Sequence, residues 1–392
     1  MSTLIPRKAT ATLAKLAAQY PVVTITGPRQ SGKTTLARFQ FGDHRYVNLE
    51  APDVRTFAVE DPREFLRQYP APVIFDEIQN VPELLSYLQV MVDERAGENG
   101  LYVLTGSRQP ELRAAVSQSL AGRTGLLHLL PLSLVELRET GVCEDRDVVL
   151  HKGLMPKIYS QNVEPLFLYR DYFHTYVERD VRQLINVRDL SVFETFMRLV
   201  AGRVGQVVNL SALGDDAGVS HVTVREWLSV LEASYVIFPL RPYFRNFNKR
   251  QIKAPKLYFV EPGLVAYLLG LTSAEQVARD PLLGGLFENL VVIEALKARY
   301  NSGADADLYF FRDSRGGEVD LLFVKGRQVL PVEIKAARTW SQGFFQNLKS
   351  FAKMSEDILP GAVIYAGDLT QGGGEAAERR GVNFREAAGL FV

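Results

Sequence analysis

The sequence has a single cysteine, Cys143, which excludes an internal disulfide framework and points to a reducing compartment. It has no excess of charge of either sign, since 45 Lys and Arg are balanced by 45 Asp and Glu. A molecule-wide field drawing it to nucleic acid or to a membrane surface is thereby ruled out, and any such preference has to be local. No stretch approaches the uninterrupted apolar run, about 18 residues long, that a membrane-spanning helix needs. Residues 1–21 alternate polar and apolar side chains in a helical pattern in place of a secretory signal, so the expected location is cytoplasmic, with no membrane partner. The five histidines are scattered and suggest no zinc site. At 392 residues, with 47% hydrophobic and 23% charged side chains, the chain reads as a folded protein of two or three domains.

Within this ordinary composition, one stretch carries specific chemistry. The apolar run Val22-Val23-Thr24-Ile25 leads into Gly27-Pro28-Arg29-Gln30-Ser31-Gly32-Lys33-Thr34, and Thr35-Leu36-Ala37-Arg38 follows. This is G-x-x-x-x-G-K-[ST] between a strand and a helix, a loop whose backbone N–H groups can surround phosphates. Gly27 and Gly32 permit positive φ and close approach, while the residues from Pro28 to Thr35 would cradle the ligand together with the helix N-terminus. Lys33 would reach the β and γ phosphates and the Thr34 hydroxyl would ligate Mg²⁺, so ATP and Mg²⁺ are the expected cofactors. Pro72-Val73-Ile74-Phe75-Asp76-Glu77 reads as a buried parallel strand ending in two carboxylates: Asp76 for the metal, Glu77 to orient and activate water. A third strand, 101–107, ends in Thr105-Gly106-Ser107. Thr105 or Ser107 would face the γ phosphate if the sheet is doubly wound, and otherwise they are hydroxyl residues in a turn.

These elements, with Phe75-Asp76-Glu77-Ile78-Gln79, Leu104-Thr105-Gly106-Ser107, Ser119-Leu120-Ala121-Gly122-Arg123 and Leu132-Ser133-Leu134-Val135-Glu136, resemble a prokaryotic family of AAA+ ATPases. In that family a nucleotide domain is joined to a C-terminal region of unknown function. The resemblance covers nearly the whole chain and implies a sensor position at Thr105 or Ser107. It also implies a charge-stabilising arginine at Arg123, acting in cis or on a neighbouring subunit. Read from the residues alone, Arg123 is equally a surface arginine before the next strand. Glu178-Arg179-Asp180, on a helix expected over 164–187, resembles another signature of the family, and a structural ion-pair role is the favoured reading.

The middle of the chain alternates helices and a ribbon: 192–202, 210–217 and 221–233 at helical spacing, then 235–242 as a strand. Val224, Trp227, Leu228 and Leu231 would face inward. This order reads as a winged helix-turn-helix, placing Ser220, His221, Thr223 and Arg225 near the start of a DNA-recognition helix. Winged helices also bind proteins or act as ATPase lids. Residues 241–256 add Arg241, Arg245, Lys249, Arg250, Lys253 and Lys256 with no acidic residue, interleaved with Tyr243, Phe244 and Phe247, a composition suited to phosphate neutralisation and stacking.

Toward the C-terminus a helix over 286–300 carries Glu288 and Glu294. Strands are expected over 308–312, 318–324 and 328–335, a helix over 343–354, and a last strand at 363–365. Asp320 and Glu333 can converge across a hairpin, with Glu333 and Lys335 on one strand face, a set of hard oxygens and a lysine suited to Mg²⁺. This resembles the PD-(D/E)xK nuclease fold, with Asp320, Glu333 and Lys335 as its core and Glu288 or Glu294 as the helix-borne carboxylate.

The sequence therefore leads us to expect an α/β protein of three parts. These are an AAA+ P-loop domain with a parallel sheet over 1–135, a helical and winged-helix part over 136–270, and a restriction-endonuclease-like part over 271–392. The expected activity is Mg²⁺-dependent ATP hydrolysis coupled to remodelling of, or translocation on, DNA, in a homo-oligomer such as a hexamer. The alternatives are a slow nucleotide switch acting on protein partners and an ATP-gated, Mg²⁺-dependent nuclease.

Overall fold

Short apolar runs bounded by turn residues form the first sheet, because strands covered on both faces tolerate few polar side chains. The computed structural model describes residues 4–107, 118–177, 189–244, 253–313, 316–368, 371–372 and 380–392. Five strands, β1 (Val22–Thr26), β2 (Arg45–Asn48), β3 (Val73–Asp76), β4 (Tyr102–Gly106) and β5 (Thr124–His128), lie in the order β2-β3-β4-β1-β5, all parallel. Val22, Phe75, Tyr102 and Leu104 fill the core on one face. Val23, Ile25, Ile74, Val103 and Leu127 pack on the other with α1 (Ala9–Gln19) and α2 (Lys33–Gln40). Since β4 lies between β1 and β3, the glycine loop, Thr105 and Asp76 emerge side by side at the carboxyl edge.

The helices expected over 210–217 and 221–233 form with those bounds. The Asn209 side chain accepts from the Ala212 N–H and the Ser220 hydroxyl from that of Thr223, satisfying donors that a helix start leaves free. Val224, Trp227 and Leu231 are buried and Leu228 half-buried. Trp227 meets Phe193 and Phe196 edge-on at centroid distances of 5.3 and 4.9 Å. The helix expected over 164–187 runs from Pro165 to Tyr172 and continues as a π-helical turn, Phe173–Val177. Glu178, Arg179 and Asp180 lie outside the described residues.

The second sheet crosses the boundary expected at 270. Strands β6 (Ile237–Pro242), β7 (Lys256–Phe259), β8 (Leu308–Arg312), β9 (Glu318–Lys325), β10 (Gln328–Lys335), β11 (Ala362–Tyr365), β12 (Gln371–Gly372) and β13 (Arg380–Asn383) lie in the order β12-β13-β11-β10-β9-β8-β6-β7. The β6–β7 hairpin is thus one edge of the C-terminal sheet, through the parallel pairing of Arg241 with Tyr309. One hydrophobic core runs from Phe193 and Trp227 to Val332 and Ile364 without a break. The expectation that residues 363–365 end the sheet is corrected: β13 pairs in parallel beyond β11. It was hidden in a Gly-rich tail, and its Gly381 is needed because a Cβ there would lie 2.4 Å from the Trp340 ring.

The helix Leu283–Asn301 ties the two sheets together, packing against β5, β7, β10 and α1. Its buried polar residues fix loop backbone: Glu294 accepts from the Leu134 N–H at 2.8 Å, and Lys297 donates to the Leu132 carbonyl at 2.8 Å. Among the described residues no helix is long and apolar enough to cross a membrane.

Candidate functional site

The loop after β1 is shaped by two glycines. Gly27 has φ +152°, and a Cβ there would sit 2.1 Å from the Leu129 carbonyl oxygen; Gly32, at φ +94°, opens α2. Beside the loop lies a cavity of about 540 Å³, lined by Arg29, Gln30, Gly32, Lys33, Thr34, Thr35 and Glu77, with Ile5, Arg7, Lys157 and Gln161 on its outer walls. That volume suits a nucleotide-sized ligand. Two features of the loop also fit phosphate. Ser31 is fully buried and its hydroxyl has no hydrogen-bond partner among the described residues, while the Lys33 ammonium folds back onto the carbonyls of Gly27 (3.0 Å) and Pro28 (2.7 Å). Phosphate oxygens would satisfy both.

At the next strand end, the Thr34 hydroxyl donates to the Asp76 carboxylate at 3.0 and 3.1 Å. Oxygens about 3.0 Å apart are spaced as neighbouring corners of an octahedron with arms of about 2.1 Å, the geometry Mg²⁺ requires. Asp76 also accepts from the Tyr46 hydroxyl at 2.7 Å and from Thr105. Burial first, then the bond to Asp76, holds the Tyr46 phenol well above its ordinary range, so it stays a donor. Glu77 has left-handed backbone angles, φ 56° and ψ 47°, rare for a residue with a Cβ. The Thr105 hydroxyl receives the Glu77 N–H at 3.3 Å. Ser107 donates to the Glu77 carboxylate at 3.0 Å, and Gln79 donates to the same oxygen. The hydroxyls of Thr105 and Ser107 thus hold the two acids.

Burial lowers the Lys33 pKa to about 8, against the raising influence of Glu77 and Asp76. An anion beside the ammonium raises it again, so nucleotide binding should take up protons where free Lys33 has begun to lose its own. The sign follows: affinity is unchanged below that pKa and falls as pH rises past it. Titration calorimetry of ATP binding in two buffers of different ionisation enthalpy should give fractional proton uptake at about pH 8.5 and almost none at about pH 7. Equal apparent enthalpies in both buffers at the higher pH would contradict this.

Arg123 is not brought to these phosphates. It precedes the first residue of β5, at the amino edge of the sheet, about 16 Å of strand from the glycine loop. There it grips Asp93 through two bonds of 2.6 and 2.8 Å. Sequence reasoning missed three residues that shape the site: Tyr46, Gln79 and Arg7. Arg7 donates to the Ser31 carbonyl at 2.7 Å, the Leu130 carbonyl at 2.6 Å and Glu136 at 3.1 Å. Only the chain fold brings it there, and no local pattern announces it.

In the middle region His221 and Arg225 are exposed on the first turns of their helix beside exposed Val222, and Thr223 is half-buried under the Ser220 cap. Lys253 and Phe244 are exposed at the two ends of the hairpin's loop, whereas Arg245, Lys249 and Arg250 lie outside the described residues. Lys256, counted above with the basic stretch, is 2% exposed and points inward. A hydrogen-bonded cluster joins the hairpin to the nucleotide loop: the hydroxyls of Thr26 and Tyr235 are 2.9 Å apart, and His128 Nδ1 lies 2.9 Å from the first and 2.7 Å from the second.

In the C-terminal part, Asp320, Glu333 and Lys335 do converge. The Lys335 ammonium is 2.5 Å from Glu333 and 3.4 Å from Asp320. Of the two candidate helix carboxylates, Glu288 joins this group and Glu294 does not, being turned to Leu134 and Lys297. Burial, then repulsion from Asp320, raises the pKa of both Glu288 and Glu333. Lys256 and Glu318 also belong to the cluster and were not foreseen.

The sequence matches family models over three consecutive stretches: an AAA domain over residues 19–138, a domain of unknown function (DUF8612) over 144–275, and another (DUF4143) over 283–379. Uncharacterized proteins of Mycobacterium tuberculosis and Mycobacterium bovis are each 31% identical to it over 364 residues, covering 92% of this chain and 80% of theirs. Among solved structures, a Walker-type ATPase of Pyrococcus abyssi aligns at 14% identity with a TM-score of 0.46, covering 68% of this chain and 96% of that one.

Proposed function

As the chain belongs to the same family as the two mycobacterial proteins and is a P-loop ATPase of the AAA type, we propose that it hydrolyses ATP with Mg²⁺ and couples turnover to its hold on DNA. On this reading Lys33 and the loop amides bind the β and γ phosphates, and Thr34 and Asp76 hold Mg²⁺. Glu77 takes a proton from the attacking water. DNA would lie against the start of the helix His221–Ala233 and the loop end of the hairpin, where His221, Arg225 and Lys253 are exposed. The observation that carries the coupling is the Thr26, His128 and Tyr235 cluster. It joins the residue before Gly27 directly to the residue two places before β6. A change in the loop on phosphate binding or release would therefore be felt at the hairpin.

Arg123, far from its own phosphates, fits a role in a neighbouring subunit of a homo-oligomer. The proposed location is the cytoplasm. A protein partner in place of DNA is the second reading, supported by Val222 and Phe244, exposed at the start of that helix and beside the hairpin loop.

The test is ATP turnover with and without duplex, single-stranded and four-way-junction DNA over a range of salt. DNA should raise turnover, the effect should fall steeply with salt, and R225A/K253A should shift the half-maximal DNA concentration upward roughly tenfold. Turnover indifferent to every DNA would reject the DNA reading and favour the protein-directed switch.

A further inference from the structure

The resemblance to a metal-dependent nuclease asks for a divalent cation at Asp320 and Glu333, and the structure supplies a different cation nearby. Strands β9 and β10 and the helix Leu283–Asn301 bring Glu288, Glu318, Asp320 and Glu333 together. Lys256 enters this group from β7. Its ammonium, almost wholly buried, is 2.8 Å from Glu288 Oε1 and 2.6 Å from Glu318 Oε1, and lies over the Phe310 ring at 5.5 Å. The Tyr258 hydroxyl donates to the same Glu288 oxygen at 2.6 Å.

The other carboxylates have partners too. Asp320 Oδ2 accepts from the Ile334 N–H at 2.8 Å as well as from Lys335. Glu333 accepts from Asn347 at 3.0 Å and from Lys335 at 2.5 Å. Among the described residues no group of three or more His, Cys, Asp or Glu side chains is arranged to hold a metal ion. Mg²⁺ demands near-octahedral oxygen ligation, and a buried ammonium bonded to Glu288 and in the field of Asp320 repels a dication beside them.

We infer that Lys256 is the built-in cation of this cluster, taking the place among Glu288, Glu318 and Asp320 that a divalent metal would fill. The residues therefore do not fit the metal that the resemblance implies, and no metal-activated cleavage is assigned to them. The cluster is instead a charged joint. It ties β7, the strand that leaves the basic stretch, to the buried helix and to β9, and so holds the hairpin in register with the C-terminal sheet.

The test uses the full chain carrying D76N, so that the glycine-loop site loses its carboxylate ligand, and reads free Mn²⁺ by electron paramagnetic resonance during titration without nucleotide. With Lys256 present, adding D320N/E333Q should leave Mn²⁺ binding unchanged. K256M, which keeps the aliphatic stem and removes the charge, should gain one Mn²⁺ per chain, and K256M/E288Q should lose it again. A bound Mn²⁺ that disappears with D320N/E333Q while Lys256 is in place would overturn the inference, as would a folded K256M that gains none. Should K256M fail to fold, the D320N/E333Q comparison decides alone, because it keeps the lysine.

Discussion

Replacing Glu77 with Gln is expected to leave ATP binding within about threefold of the unsubstituted protein while turnover falls by a factor of about 10² to 10⁴, the range that loss of a general base removes. The amide has the size of the carboxylate and can still accept from Ser107 and Gln79, so the left-handed backbone at residue 77 keeps its supports. What the amide cannot do is take a proton from water. Lys33→Ala serves as the contrast. It removes a 5%-exposed ammonium that sits among the loop carbonyls, and should abolish binding and turnover together. A fluorescent nucleotide titration and a phosphate-release assay separate the two cases. If Glu77→Gln retained turnover within about tenfold, proton removal would have to be reassigned from Glu77 to another group, such as Glu50, which also lines the cavity.

What could be read from the sequence was what depends on neighbours along the chain. The glycine loop, the acids ending β3 and the helices 210–217 and 221–233 are each set by spacing within one segment, and the structure has them where the pattern put them. Lys256 was misread because its segment is basic and aromatic throughout; nothing local says that one lysine of the run turns inward to two glutamates, 32 residues away at Glu288. The reach of the second sheet was hidden for a related reason. β6 pairs with β7 as a hairpin and beyond it with β8, whose residues lie far along the chain, so nothing within β6 itself announces the second pairing. The converse holds at Glu288 and Glu294. Both lie on one helix among apolar neighbours, and the structure separates a carboxylate that faces Lys256 from one that faces Leu134.

Glu136→Ala is expected to destabilise the protein by about 3–5 kcal/mol, the usual result of stranding one partner of a buried charge pair. Glu136 has no exposed surface. It accepts from Arg7 at 3.1 Å, from the Lys8 N–H at 2.7 Å and from the Ser133 N–H at 2.8 Å, closing a capping box at the start of Leu134–Glu139. Without it the Arg7 guanidinium is buried with carbonyls alone for company, and thermal unfolding should begin roughly 10 °C lower. Because Arg7 also holds the Ser31 carbonyl, ATP affinity should fall in the same variant, even at temperatures where it stays folded. The apolar pair R7M/E136L separates the two effects: filling the site without charge should recover much of the stability and none of the affinity. If R7M/E136L bound ATP normally, the pair would be a packing element only. If Glu136→Ala shifted the melting temperature by less than about 2 °C, the charge pair would be too solvated to matter. The expected outcome assigns a physical task to Leu132-Ser133-Leu134-Val135-Glu136, a run that reads in sequence as a family signature without a chemistry. It presents a carboxylate that pins Arg7, 129 residues earlier, against the phosphate-binding loop.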